Sequence, residues 1–96
     1  MDAKTQDWIG RMVKGVEAGN LPVFEFGVYL SKVLKSNPLE EIIELVPEPI
    51  LRNLEKWAEE CCKEEIYQVL FSYGEEVYFK DEVHRFRAYF RSQNGQ

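Results

Sequence analysis

The chain has 96 residues, 45% of them hydrophobic and 14% aromatic, which is enough for one hydrophobic core and too little for two. Its formal net charge of −5 disfavours a protein that follows the phosphates of a nucleic acid, because such proteins carry a basic excess. No run of about 20 apolar residues is present, so no membrane contact is expected. We therefore predict a single helical domain over residues 1–96.

The two cysteines, Cys61 and Cys62, are adjacent in the sequence. Neighbouring residues rarely form a disulfide, because the ring that they would close is strained. The first seven residues are polar and lack the basic start and apolar run of a secretion signal. A small domain with two reduced thiols predicts a cytoplasmic location.

Two amphipathic helices are predicted in the first third of the chain. Residues 5–18 place apolar side chains at helical spacing, with Thr5 as the expected N-cap and Gly19 at the end. Pro22 is expected at the first position of a second helix, which is apolar around so much of its circumference that a central place in the fold is predicted. Within it, Gly27 is expected to cost about 1 kcal/mol relative to alanine.

Prolines divide the next part of the chain into a short helix and a long one. Asn37 and Pro38 are expected to begin the short helix, which ends before Pro47 because proline disfavours the helical conformation of its predecessor. Pro49 begins the longest stretch of helical periodicity, and Cys61 belongs to its apolar face. Cys62 is expected at the edge of the core.

Residues 66–80 are compatible with two secondary structures. A helix would continue the apolar face of the preceding helix and end at Gly74. A hairpin would alternate Tyr67, Val69 and Phe71 on one face and turn at Gly74. We favour the helix, because an isolated two-stranded ribbon is marginally stable unless it packs on helices.

A final helix is predicted from about Asp81, with Val83, Phe86 and Phe90 at helical spacing. The predicted fold class is all-α, a compact bundle of four to five short helices. The alternative is an α+β fold with one hairpin at about residues 66–80.

The residues of known catalytic and metal sites are mostly missing from this sequence. His84 is the only histidine, and its expected place is off the apolar face of the last helix, in solvent. The cysteines lack the spacing of zinc ligands, and the six glycines form no phosphate-binding loop. We therefore predict a protein that is not an enzyme and that needs no cofactor and no metal.

Two charged surfaces are candidate partner-binding sites. Residues 40–65, here called the acidic segment, contain nine glutamates and three basic residues, and its first part has four glutamates without a basic residue between them: Glu40, Glu41, Glu44 and Glu48. Such a surface would attract a basic partner. On the last helix, four residues form a second surface, here called the basic stripe: Lys80, His84, Arg87 and Arg91. It lies beside aromatic residues, as in protein interfaces and single-strand nucleic-acid platforms.

The predicted function is a small, soluble, non-catalytic protein-interaction module, with a protein partner that is basic and is bound or neutralised through the acidic segment. Bacterial immunity proteins and antitoxins cover basic active sites in this way, which is a functional analogy only, and a regulatory or adaptor subunit is an equally compatible role. The alternative is a nucleic-acid-associated protein that uses the C-terminal arginines and aromatic residues. Self-association into a homo-oligomer through Trp8, Phe24 and Tyr29 is compatible with either function. The two charged surfaces could also pair with each other within one molecule.

Overall fold

The computed structural model describes residues 1–94, so the last two residues of the predicted domain lie outside the described residues. Five helices and two short strands follow one another along the chain, with these bounds: α1 Ala3–Glu17, α2 Val23–Leu34, α3 Leu39–Glu44, α4 Glu48–Glu64, β1 Gln68–Leu70, β2 Glu76–Tyr78 and α5 Lys80–Asn94. The predicted bundle of short helices is confirmed. None of the helices in the described part of the chain is long and apolar enough to span a membrane.

Each of the first four helices begins next to a residue suited to a helix start. The carboxylate of Asp2 accepts a hydrogen bond from the backbone nitrogen of Thr5 at 2.8 Å, so Asp2 caps α1 in place of the predicted Thr5. Pro22, Pro38 and Pro47 occupy the N-cap positions of α2, α3 and α4. A proline there has an extended backbone, and the backbone N–H that it lacks would have no partner within the helix.

The segment after α4 forms a hairpin, so the favoured prediction of a helix over residues 66–80 is wrong and the alternative is confirmed. Glu65 ends α4 in the left-handed conformation, with φ of 56°. The strands β1 and β2 pair antiparallel with Val69 opposite Val77. Gly74, with φ of 91°, donates to the carbonyl oxygen of Phe71 at 2.8 Å and closes the turn. The helices stabilise this ribbon, because Val77 lies in their core.

Helix α2 has the central position that its apolar circumference predicted. It contacts α1, α3, α4 and α5, and one hydrophobic cluster joins residues from all five helices and β2. At its middle, Gly27 lies against the indole of Trp57 on α4: a Cβ atom there would lie 2.5–2.7 Å from three ring atoms. The missing side chain therefore allows α2 and α4 to approach closely, which the helix propensity of glycine did not reveal.

Candidate protein-binding site

The four predicted glutamates of the acidic segment do not share one environment. Glu40 and Glu44 lie one turn apart on α3 and are exposed, and neither has an ion-pair partner within residues 1–94. Glu41 accepts a hydrogen bond from the backbone amino group of Met1 at 2.8 Å. Glu48, the first residue of α4, pairs with Arg52 at 2.7 Å. Only Glu40 and Glu44 of the four are therefore available to a partner without first losing an ion pair.

The basic stripe faces the molecule's own hairpin and α4. The Nζ atom of Lys80 lies 5.5 Å from the ring centroid of Tyr67, and Arg87 donates to Nδ1 of His84 at 3.3 Å. Arg91 forms two hydrogen bonds with Glu59, at 2.9 and 3.0 Å. All four residues of the stripe thus have intramolecular contacts, and Arg91 bonds to the acidic segment itself.

The prediction that His84 is a solvated surface residue is wrong, because His84 is half-buried between α4 and the hairpin. Its Nε2 atom lies 3.3 Å from the hydroxyl of Tyr67, and its Nδ1 atom lies 3.9 Å from Sγ of Cys62. Since a guanidinium can only donate, Nδ1 is the acceptor for Arg87, which leaves Nε2, toward Tyr67, as the nitrogen that carries hydrogen. The ring therefore links α5 to α4 and to Tyr67, the residue before β1.

The cluster around His84 brings a thiol and an imidazole together without activating the thiol. Burial raises the pKa of Cys62, and the nearby Arg87 guanidinium only partly offsets this effect. Burial also raises the pKa of Cys61 to about 12. Both sulfurs are therefore protonated near neutral pH, whereas a nucleophilic cysteine requires a lowered pKa. Within residues 1–94, no group of three or more metal-ligating side chains could hold a metal ion.

The ion pair between Arg91 and Glu59 makes stability depend on pH. Arg91 lowers the pKa of Glu59, mainly through its hydrogen bonds. A lowered pKa in the folded state stabilises the fold above the ordinary carboxyl pKa of about 4.3, and this contribution disappears as the pH falls through the folded-state pKa. Because Glu59 is 41% exposed, solvent screening limits the contribution to less than about 1 kcal/mol.

We therefore expect Glu59→Gln to lower the free energy of unfolding at pH 7 by less than about 1 kcal/mol. The gap to the wild type should close as the pH falls from 5 to 3, because protonation of Glu59 then removes the same interaction. Denaturant unfolding at a series of pH values measures this difference. Glu60→Gln is the matched control, since Glu60 is exposed and has no ion pair within residues 1–94. An equal pH profile for the two variants would contradict the assigned role of Arg91.

An open groove of about 520 Å³ lies between the start of α2 and the length of α4, here called the α2–α4 groove. Its apolar lining consists of Val23, Phe24, Trp57, Cys61 and Ile66, and its polar lining consists of Asn53, Lys56, Glu60 and Glu64. Phe24 and Ile66 are large apolar side chains with 37% and 38% of their surface exposed. The sequence suggested Phe24 as exposed apolar surface, but it gave no sign that Phe24 and Ile66 line the same groove.

The indole of Trp57 connects the α2–α4 groove to the core. Only 5% of its surface is exposed, and its ring packs against those of Phe24, Phe79 and Phe86 at centroid distances of 6.0–6.4 Å. Its Nε1 atom is buried and has no hydrogen-bond acceptor within the described residues. A buried donor without an acceptor costs free energy, so Trp57 is a polar group left unsatisfied beside an apolar groove.

A row of aromatic rings crosses a different face, from α1 over α2 to the hairpin. Trp8 contacts Tyr29 edge-on at 5.8 Å, and Tyr29 stacks on Phe71 at 5.4 Å, which stacks on Tyr73 at 5.6 Å. Tyr29 and Phe71 are only partly exposed, because they cover the core between α2 and the hairpin. The sequence suggested Tyr29 as apolar surface available for self-association, but its ring is in contact with Trp8 and Phe71 of the same molecule.

Within residues 1–94, two pairs of exposed glutamates have no ion-pair partner: Glu40 with Glu44 on α3, and Glu60 with Glu64 on α4. The second pair borders the α2–α4 groove. The basic stripe offers much less, since its members contact Tyr67, Cys62 and Glu59. Comparison of the chain with protein-family models, with curated proteins and with solved structures gives no match, so an assignment of function rests on this geometry.

Proposed function

We propose that the protein is a non-catalytic interaction module that binds a basic protein partner through exposed glutamates of the acidic segment. The observation that carries this proposal is the distribution of ion pairs. Arg91 forms an ion pair with Glu59, Lys32 with Glu75, and Lys35 with Glu82. Glu40 and Glu44 on α3, and Glu60 and Glu64 on α4, are exposed and have no such partner within residues 1–94.

The unpaired glutamates suit a role in partner recognition because they need no rearrangement to bind. Glu40 and Glu44 are one turn apart, and so are Glu60 and Glu64, so each pair presents two carboxylates on one side of a helix. Exposed charges of one sign accelerate association with a partner of the opposite sign, and they do so less at high ionic strength. The proposed complex should therefore form fast and weaken with salt.

The raised pKa values of both cysteines also support a non-catalytic role, because they leave His84 without a thiolate partner. The alternative function, binding of a nucleic acid, would require the basic stripe to exchange its intramolecular contacts for phosphates. Of its members, Arg91 would lose two hydrogen bonds to Glu59. The intramolecular contacts of the stripe therefore favour the protein partner.

The test is an affinity capture from lysate of the native host at low and high salt, followed by binding of the purified partner to variants. Replacement of Glu40, Glu44, Glu60 and Glu64 by glutamine should abolish a salt-sensitive interaction. The matched control replaces the exposed Lys14 and Lys63 by glutamine and should keep or strengthen the interaction. Glu41 and Glu48 are left unchanged, because their loss would also remove the contacts to Met1 and Arg52.

Equal binding by the glutamate variant and the wild type would refute the proposed function. A partner that is lost on nuclease treatment, and lost in an Arg85→Gln/Arg87→Gln/Arg91→Gln variant, would instead support the nucleic-acid alternative.

A further inference from the structure

We infer that the α2–α4 groove is the docking site for an amphipathic helix of the partner, with apolar side chains against Phe24, Trp57 and Ile66 and basic side chains over Glu60 and Glu64. This inference rests on the proposed function and deepens it, because it names the form of the bound segment and the place where it lies.

The shape of the groove suits a helix. Its lining residues on α4, from Asn53 to Glu64, recur at intervals of three and four residues and so form one continuous side of α4. Three helical turns separate the first from the last, a length of about 16 Å. A helix of similar length could lie along this side of α4 and present apolar residues every three or four positions, which is the common way in which a helix occupies a groove.

The charges at the rim select a basic helix. Glu60 and Glu64 are exposed, one turn apart, and unpaired within residues 1–94. Lys or Arg side chains one turn apart on the partner would match their spacing. Lys56 lies one turn before Glu60 on the same rim and repels such side chains. The rim therefore predicts an asymmetry: loss of the glutamates should weaken binding, and loss of Lys56 should strengthen it.

A second, independent observation is the unsatisfied Nε1 atom of Trp57. The ring is 95% buried, it lines the groove, and its donor has no acceptor within the described residues. Phe24, which packs edge-on against the Trp57 ring, is itself exposed and lines the same groove. A bound helix that displaces Phe24 would change the surroundings of the Trp57 ring, and side-chain changes of this size are common on binding. The indole N–H signal of Trp57 is therefore a direct reporter of occupancy.

The experiment titrates the ¹⁵N-labelled protein with two synthetic amphipathic peptides of about 18 residues, long enough to form a helix. Both carry leucines at helical spacing, one with lysines on the flanks and one with glutamates. We expect the lysine peptide to shift the Trp57 indole N–H signal, while the Trp8 indole, which lies against Tyr29 on another face, serves as the internal control. The glutamate peptide should not bind.

Variants then locate the site. Glu60→Gln/Glu64→Gln should weaken the lysine peptide about fivefold, since two exposed charge pairs are lost, and Lys56→Gln should tighten it. Ile66→Ser should weaken it about tenfold through the loss of an apolar contact. Two matched controls should bind like the wild type: Glu40→Gln/Glu44→Gln for charge, and Leu70→Ser for an apolar residue that is 69% exposed on the hairpin. Thermal unfolding checks that each variant is folded.

Several results would overturn the inference. The first is a lysine peptide that shifts the indole signal of Trp8 and leaves that of Trp57 unchanged. The second is equal affinity of this peptide for Glu60→Gln/Glu64→Gln and for the wild type. The third is that the lysine peptide does not bind at all. If the natural partner is nevertheless lost in the four-glutamate variant, the proposed function stands and only the groove is refuted. If peptide binding follows Glu40 and Glu44 instead, the acidic surface on α3 replaces the groove as the site.

Discussion

Gly27→Ala is expected to destabilise the fold by about 2 kcal/mol, although alanine is the better helix former. The new methyl group would lie 2.5–2.7 Å from three atoms of the Trp57 ring, so the ring or the helix must move. Added atoms in a close-packed core typically cost about 1–3 kcal/mol, and we expect the upper end here because the ring is held by Phe24, Phe79 and Phe86. The higher helix propensity of alanine offsets about 1 kcal/mol of this cost, which leaves the expected net destabilisation.

The matched control for this change is Gly10→Ala on α1. A Cβ atom at Gly10 would meet no heavy atom within 4 Å, so the same substitution should stabilise the protein by up to about 1 kcal/mol. Denaturant unfolding of both variants measures the two changes in the free energy of unfolding, which should have opposite signs. Stabilisation by Gly27→Ala would show that α2 and α4 have room for the methyl group, and it would contradict the close contact between Gly27 and Trp57.

Phe79→Ala is expected to cost about 3–5 kcal/mol, a large part of the stability of a small domain. Phe79 is completely buried and stacks on Trp57 at a centroid distance of 6.0 Å. Its backbone nitrogen also donates to the carbonyl oxygen of Tyr67, so it joins the base of the hairpin to the start of α5. The cavity left by the ring would therefore loosen the hairpin as well as the core.

The neighbouring residue provides the control for Phe79. Tyr78 is 55% exposed and lies on the opposite face of the strand, so Tyr78→Ala should cost less than about 1 kcal/mol. Denaturant unfolding gives the two free energies, and amide hydrogen exchange shows whether the hairpin opens first in Phe79→Ala. Equal losses for the two variants would mean that the hairpin does not depend on the core beneath it.

The stability of the core and the proposed docking site are linked through Trp57. Gly27 lies against its indole, Phe79 stacks on it, and Trp57 also lines the α2–α4 groove. A substitution that shifts this ring should therefore change binding to the groove as well as stability. Binding tests are best interpreted with surface variants such as Glu60→Gln/Glu64→Gln, which leave Trp57 in place.

Local sequence signals determined most of the helical architecture. Pro22 and Pro38 marked helix starts and Pro47 marked the end of α3, because the effect of a proline on the backbone extends only one or two residues. The predicted start of the long helix at Pro49 is one residue late, since α4 begins at Glu48 with Pro47 as its N-cap. Apolar periodicity identified the buried face of α4. The core position of Cys61 and the turn at Gly74 followed from the same kind of local pattern. The acidic charge of residues 40–65 was also a property of the sequence alone.

Tertiary structure decided the features that depend on residues far apart in the chain. Residues 66–80 became a hairpin because Val77 and Phe79 gain a core made by the helices, a contribution that no local pattern contains. His84 is half-buried because Cys62 on α4 and Tyr67, which precedes β1, are its neighbours. The close contact of Gly27 with Trp57 and the apolar floor of the α2–α4 groove likewise require two helices to meet. Packing between distant segments sets these environments. The sequence therefore identified individual candidate residues, but not which of them lie on the same surface of the folded protein.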